Sequence, residues 1–156
     1  MTVYANKPAF NVREKLKELD GKQDKMIHRP AFSCVGSGSY TPTTNAQNIA
    51  SFCGSVVTFD RGNNVVAGRF TAPIAGLYHF DLKLQVVYSS GYMFSYVYKN
   101  GATMPNHSIY YYQTSNSYTL SFTTFAEAGD YFEPYINNNY AGGTVSGPIW
   151  CGHYIG

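Results

Sequence analysis

Residues 78–86 read Tyr78-His79-Phe80-Asp81-Leu82-Lys83-Leu84-Gln85-Val86, an unbroken alternation of apolar or aromatic with polar side chains. Successive side chains of an extended strand point to opposite faces. A period of two therefore places Tyr78, Phe80, Leu82, Leu84 and Val86 on one face, which is buried. The pattern recurs downstream. Tyr92, Phe94, Tyr96 and Tyr98 alternate with Met93, Ser95, Val97 and Lys99, and Tyr118, Leu120 and Phe122 alternate with Thr119, Ser121 and Thr123. Turn signals punctuate these runs at Arg61-Gly62-Asn63-Asn64, Ser89-Ser90-Gly91, Lys99-Asn100-Gly101, Ala128-Gly129-Asp130 and Asn137-Asn138-Asn139. Many short strands with regular turns and no internal repeat predict an all-β sandwich or jelly roll.

Composition agrees. Aromatics make up 17% and charged residues 13% of the 156 residues, with Tyr (15), Phe (10) and Gly (15) abundant. Aromatic side chains suit a pleated, half-buried surface and glycine suits tight turns. Net charge is +2. The excess of Lys and Arg lies in residues 1–30, while the remainder sets Arg61, Arg69, Lys83 and Lys99 against Asp60, Asp81, Glu127, Asp130 and Glu133. That balance gives the larger part no basic face for nucleic acid. No apolar run reaches the ~18 residues of a membrane span, and residues 1–15 do not read as a secretory signal.

Ahead of Pro30 the period changes. Val12, Leu16, Leu19, Gln23 and Met26 recur at alternating spacings of four and three, which is a coiled-coil seam. Asn11 followed by Glu14 resembles a capping box, and Gly21 is expected to interrupt the helix. So short a helix is marginal alone and normally needs partners. The sequence thus divides into a helical stalk or linker over 1–29, with Val12, Leu16, Leu19 and Met26 as trimerisation residues, and a β head over 30–156. One amphipathic helix lying on the head is the alternative.

Within the head, Arg69-Phe70-Thr71-Ala72-Pro73-Ile74-Ala75-Gly76-Leu77-Tyr78-His79-Phe80 resembles the signature strand of the C1q globular-head family, which shares its jelly roll with tumour necrosis factor. Three further pieces follow the family's order: Pro30-Ala31-Phe32-Ser33 resembles its opening strand, Ala128-Gly129-Asp130-Tyr131-Phe132 its Gly-Asp turn and strand, and Trp150-Cys151-Gly152-His153-Tyr154-Ile155 its closing strand. In the last, Trp replaces Phe and Cys replaces Ser. The resemblance implies a ten-stranded jelly roll, a homotrimer, and a binding role without catalysis or cofactor. The family's head usually follows a collagen stalk. Here a heptad segment takes that place, which resembles viral fibre tips.

Catalytic and metal chemistry find little support. His28, His79, His107 and His153 sit at no metal-binding spacing, and His79 and His153 are expected to be hydrogen-bonded strand residues. Gly36-Ser37-Gly38-Ser39 is not a nucleophile elbow. Calcium needs about six or more oxygen ligands, of which Asp60, Asn63 and Asn64 supply only part. Cys34, Cys53 and Cys151 are odd in number and fit no zinc pattern, so three buried thiols are expected. The resemblance makes Cys34 and Cys151 the pair to watch, because opening and closing strands are neighbours in that fold. Asn106-His107-Ser108 is a glycosylation sequon that matters only in a secreted chain.

Tyrosine and asparagine remain as binding chemistry. A tyrosine offers a flat apolar face and a hydroxyl, and an asparagine offers donors and an acceptor, a combination that suits sugar rings. Most tyrosines are nevertheless expected in the core or the trimer interface. Strands over 78–88, 92–99, 106–113, 117–127, 130–137 and 148–155, taken in the family's order, put three turns at the end away from the stalk. Those turns supply the expected ligand-binding residues: Tyr88, Ser89, Ser90, Tyr92, Asn116, Asn138, Asn139 and Tyr140. The turns at Asn100-Gly101 and Ala128-Gly129 face the stalk. The expected function is a trimeric head at the tip of a phage tail or collar fibre that adsorbs to a host glycan or receptor, without nucleic-acid binding or membrane insertion. A purely structural trimerisation module and a secreted lectin-like or cytokine-like head stand as alternatives.

Overall fold

The computed structural model describes residues 11–27, 29–43, 45–87, 92–112, 116–138 and 143–156. Helix α1 spans Val12–Ile27. Asn11 Oδ1 accepts the backbone N–H groups of Arg13 (3.1 Å) and Glu14 (3.3 Å), which caps two of the unpaired donors of the first turn. The helix runs through Gly21 without the expected interruption, since a mid-helix glycine costs only about 1 kcal/mol against alanine. Val12, Leu16 and Leu19 are each more than half exposed in the single chain. The Met26 side chain lies outside the described residues.

The head follows as β1 (Ala31–Val35), β2 (Ser39–Tyr40), β3 (Gln47–Asn48), a one-turn helix α2 (Ala50–Cys53), β4 (Val56–Arg61), β5 (Val65–Val66), β6 (Arg69–Thr71), β7 (Gly76–Val87), β8 (Tyr92–Lys99), β9 (Ala102–Tyr112), β10 (Asn116–Ala126), β11 (Tyr131–Asn138) and β12 (Thr144–Tyr154). One antiparallel sheet runs β10-β7-β12-β1-β4, with β2 beside β12; the other runs β5-β6-β11-β8-β9, with β3 beside β11. Two five-strand paths give the ten strands of the expected jelly roll, and the two-residue β2 and β3 are additions to it. Strands β9 and β12 both begin about four residues earlier than the expected spans 106–113 and 148–155, at Ala102 and Thr144.

The alternation of residues 78–86 is observed as read: Tyr78, Phe80, Leu82, Leu84 and Val86 are all fully buried. Phe80 stacks on Trp150 with ring centroids 5.3 Å apart and lies 4.6 Å from Phe132, while Phe32 stacks on Phe70 at 4.7 Å. The Phe80–Phe132 and Phe32–Phe70 pairs join the sheets, because Phe32, Phe80 and Trp150 come from one and Phe70 and Phe132 from the other. Gly152 makes the packing possible: a Cβ there would sit 2.5 Å from Phe80 Cδ1 and 2.9 Å from Phe32 Cε1.

The registers orient the head. At one end Ala31 pairs with His153 and Arg61, and His79 pairs with His153 and Thr123. This is the end at which the chain enters from α1. At the other end Val35 pairs with Ile149 and Val56, Val87 with Thr144, and Val86 with Asn116. The second sheet matches, with Tyr92 opposite Tyr112 and Met93 opposite Asn138 at that same far end.

Candidate functional site

Three connections leave from the far end: 88–91 between β7 and β8, 113–115 between β9 and β10, and 139–143 between β11 and β12. This is the grouping the strand order predicts. Of the expected binding residues, Tyr88, Ser89, Ser90, Asn139 and Tyr140 lie outside the described residues, as does the side chain of Asn116. Tyr92 stands at the start of β8 and is 37% exposed. Asn138 departs from expectation. It is 3% exposed, and its Nδ2 donates to the Pro42 carbonyl at 3.4 Å. The cause is strand length: β11 continues to Asn138, which then shares its parity, and its buried side, with Phe132 and Ile136.

At the near end, the turns after β8 and β10 are tied together. Asp130 accepts from Lys99 Nζ (2.7 Å), Asn100 Nδ2 (2.7 Å) and the Glu127 N–H (2.8 Å). Asn100, held at φ 54°, also accepts from the Tyr131 N–H at 2.9 Å. Hydrogen bonds from Lys99 and Asn100 hold the Asp130 carboxyl down at about 2. Asp130 is therefore a structural clip and not an available acid.

The outer face of the second sheet corrects the expected recurrence of the β7 pattern, in which the aromatic set is the one turned inward. On β8 the residues turned inward are Met93, Ser95 and Val97, all fully buried. Tyr92, Phe94, Tyr96 and Tyr98 line the opposite face as a ladder, with neighbouring rings 6.2, 5.6 and 5.5 Å apart. Tyr135 of β11 joins them, 3.7 Å from Tyr98. Burial, then the neighbouring Tyr98, raises the Tyr96 phenol to about 12, so it stays neutral and hydrogen-bonded to Tyr98 and Asn137. Beside the ladder, β9 bulges. Tyr96 pairs with Ser108 and Tyr98 with Thr103, so residues 104–107 face Val97 alone. Pro105 within the bulge has no N–H to give a ladder. The bulge opens a cavity of about 240 Å³ lined by Phe94, Tyr96, Thr103, Met104 and Ser108.

Glu133 is the one acidic residue of β8, β9 and β11. It is 5% exposed, and its Oε1 accepts from Arg69 Nε and Asn48 Nδ2, both at 3.0 Å. The outer face of the first sheet is different. Phe59, Leu77, Phe125 and Ile149 are exposed there, interspersed with polar residues. Among these, His79 approaches Thr123 Oγ1 (3.1 Å), Ser121 Oγ (3.2 Å) and Asp81 (3.4 Å).

The remaining candidates have structural roles. Asp60 accepts the Asn64 and Val65 N–H groups at 3.0 and 2.9 Å, closing the turn after β4, and no group of three metal-ligating side chains occurs among the described residues. The cysteines are free; Cys34 and Cys53 are buried as expected, whereas Cys151 is only partly buried. Ser33 pairs with Cys151 and Cys34 with Trp150, so Cys34 points inward while Cys151 points out, and a bond between these neighbours is geometrically excluded. Burial raises Cys34 to about 11, with Asp60 adding to the shift, and also raises Cys53 and Cys151. No described helix is long and apolar enough to cross a membrane.

Two sheets of this order and connection form the jelly roll of the C1q and tumour necrosis factor type. Solved structures with the same fold include the globular domain of zebrafish complement 1qA protein (16% identity, TM-score 0.59, covering 81% of this chain and 98% of that one). Murine APRIL matches at 14% identity and TM-score 0.63, covering 81% and 99%, and PRD1 vertex protein P5 at 13% and 0.60, covering 81% and 97%. No family model matches the sequence, and no curated protein is detectably similar to it.

Proposed function

We propose that this chain is a non-enzymatic, homotrimeric binding head at the tip of a virion fibre, attaching it to a glycan or receptor on the host surface. One observation carries the reading: the registers gather the connections 88–91, 113–115 and 139–143 at the end opposite the α1 junction. Loops held by a rigid scaffold are where binding residues concentrate. Association through the mixed face of the first sheet, around Phe59 and Ile149, repeats that end three times and covers apolar surface left exposed in one chain. The half-exposed seam of Val12, Leu16 and Leu19 supports the same partnership. A vertex protein among the structural neighbours fits a place on a virion. Asp130 at the near end and Glu133 beside the aromatic face are committed to Lys99 with Asn100 and to Arg69 with Asn48, which supports binding over catalysis.

In this reading the contact residues are Tyr88, Ser89, Ser90, Tyr92, Asn116, Asn139 and Tyr140. The test is binding of labelled head to a glycan array and to bacterial cells. The triple change Tyr92→Ala, Asn139→Ala and Tyr140→Ala is compared with Glu127→Ala, an exposed position at the opposite end. Binding is expected to fall sharply in the triple variant and to persist in the control. Equal binding by the triple variant contradicts the assignment to the far end. Binding to no surface at all favours a purely structural trimerisation module.

A further inference from the structure

We infer that the bulge pocket between β8 and β9, walled by the Phe94 and Tyr96 rings, is a subsite for one ring of a neutral saccharide on the flank of the head. The inference rests on the reading of the chain as a binding head and adds a site whose lining, Phe94, Tyr96, Thr103, Met104 and Ser108, includes none of the far-end contact residues. Its first support is shape. A strand that slips by several residues leaves a concavity in an otherwise continuous sheet, and bulges of this kind recur at functional sites. The cavity of about 240 Å³ falls below the ~300–1,000 Å³ of sites for drug-sized ligands. It suits a single ring with its neighbours left in solvent.

The second support is the lining. Phe94 and Tyr96 stack with centroids 5.6 Å apart and planes 29° from parallel, giving a continuous aromatic wall. Such a wall matches the C–H face of a pyranose. Thr103 and Ser108 bring hydroxyls to the rim, and Met104 supplies an adaptable apolar floor. Hydroxyl groups that donate and accept are what a sugar's own hydroxyls require.

The third support is charge. No lining residue is ionisable below the phenol of Tyr96, which burial keeps neutral up to about 12. An anionic ligand would lose hydration without gaining a countercharge. The nearby cations are committed, Lys99 to Asp130 and Arg69 to Glu133. A nucleic-acid strand, whose bases also stack on aromatic rings, would find no partners for its phosphates. The site is shallow, so each copy binds weakly, in the roughly millimolar range, and three copies on one head raise avidity toward a repeating polysaccharide by about 10²–10⁴.

The experiment uses the full chain, with saturation-transfer NMR and titration against methyl α-glucopyranoside, methyl β-galactopyranoside and N-acetylglucosamine. Glucuronic acid and glucose phosphate serve as charged counterparts. Phe94→Ala removes half of the wall, and Thr103→Val removes a rim hydroxyl with little change of shape. The parent is expected to bind at least one neutral sugar and to bind the charged counterparts at least about tenfold more weakly. Phe94→Ala is expected to lose at least about tenfold, and Thr103→Val several-fold, with the far-ultraviolet spectrum and particle mass unchanged. Should Phe94→Ala misfold, Thr103→Val alone decides. Absence of binding to every neutral sugar overturns the subsite, as does undiminished binding by the variants. If sugar binding survives both changes but is lost in an Asn139→Ala and Tyr140→Ala variant that keeps Tyr92, the pocket is wrong and the attachment reading stands.

Discussion

Tyr98 of β8 and Tyr135 of β11 lie face on face, ring centroids 3.7 Å apart and planes 11° from parallel. The pair is diagonal across the ladder, since Tyr98 is directly opposite Glu133 and Tyr135 opposite Tyr96. Tyr135 is further held by a hydrogen bond with the Asn48 side chain, so one contact links β3, β11 and β8. Such aromatic pairs contribute about 0.5–1.5 kcal/mol beyond the area they bury. A double-mutant cycle with Tyr98→Ala and Tyr135→Ala in urea unfolding should return a coupling of about that size. Strict additivity of the two changes would show the stack to be incidental.

The clip between Asp130, Lys99 and Asn100 makes stability fall in acid. The folded carboxyl titrates at about 2, below its ordinary value of 3.8. The unfolded chain therefore takes up the proton first, and acid favours unfolding. Stability from this group is present above about pH 4 and is lost as pH falls toward 2. Asp130→Asn should cost about 1–3 kcal/mol at neutral pH, and the difference from the parent should shrink across that window. A difference that stays constant from neutral pH to 2 would remove the ionised carboxylate from the explanation.

Trp150 packs on Phe80 at the centre of the core, yet its Nε1–H has no hydrogen-bond partner among the described residues. An unpaired buried donor costs about 1–3 kcal/mol. Trp150→Phe removes that donor along with some volume, and the two effects oppose each other. Its stability in urea should lie within about 1 kcal/mol of the parent, whereas Trp150→Ala should lose about 3–5 kcal/mol. A loss of the alanine size for Trp150→Phe would mean that packing volume alone sets the energy there.

Which parts of this architecture could be read beforehand follows from contrast between faces. On β7 one face is apolar and the other is His79, Asp81, Lys83 and Gln85, so period and direction are both legible. On β8 both faces are largely apolar. The alternation is visible, but nothing in it says that Met93, Ser95 and Val97 turn inward. Phe32, Phe70, Phe80, Phe132 and Trp150 already fill the interlayer space, so the smaller set faces the core and the rings go outside. The pocket was hidden for a related reason. It arises from a slip in pairing between Tyr96 and Tyr98, and only Pro105 hints at it locally. Three asparagines in a row, 137–139, signal a turn and place Asn138 in it, while the strand runs two residues into them and ends at Asn138.

The cysteines give a simple chemical check. Cys34 and Cys53 are buried with raised thiol pKa values, and Cys151 is partly exposed on the outer face of the first sheet. Thermal melts with and without reductant should coincide. Alkylation of the native protein near neutral pH should modify Cys151 first, with Cys34 and Cys53 reacting only on unfolding. A melt lowered by reductant, or Cys34 reacting first, would contradict the free, inward placement.

Weak sites hold a surface only by repetition, so the proposed attachment requires three copies of this head acting together. Light scattering on the full chain at micromolar concentration, coupled to size exclusion, measures this directly. A particle of three times the 17.3 kDa chain mass, unchanged on tenfold dilution, is expected. A particle with the mass of a single chain would contradict it.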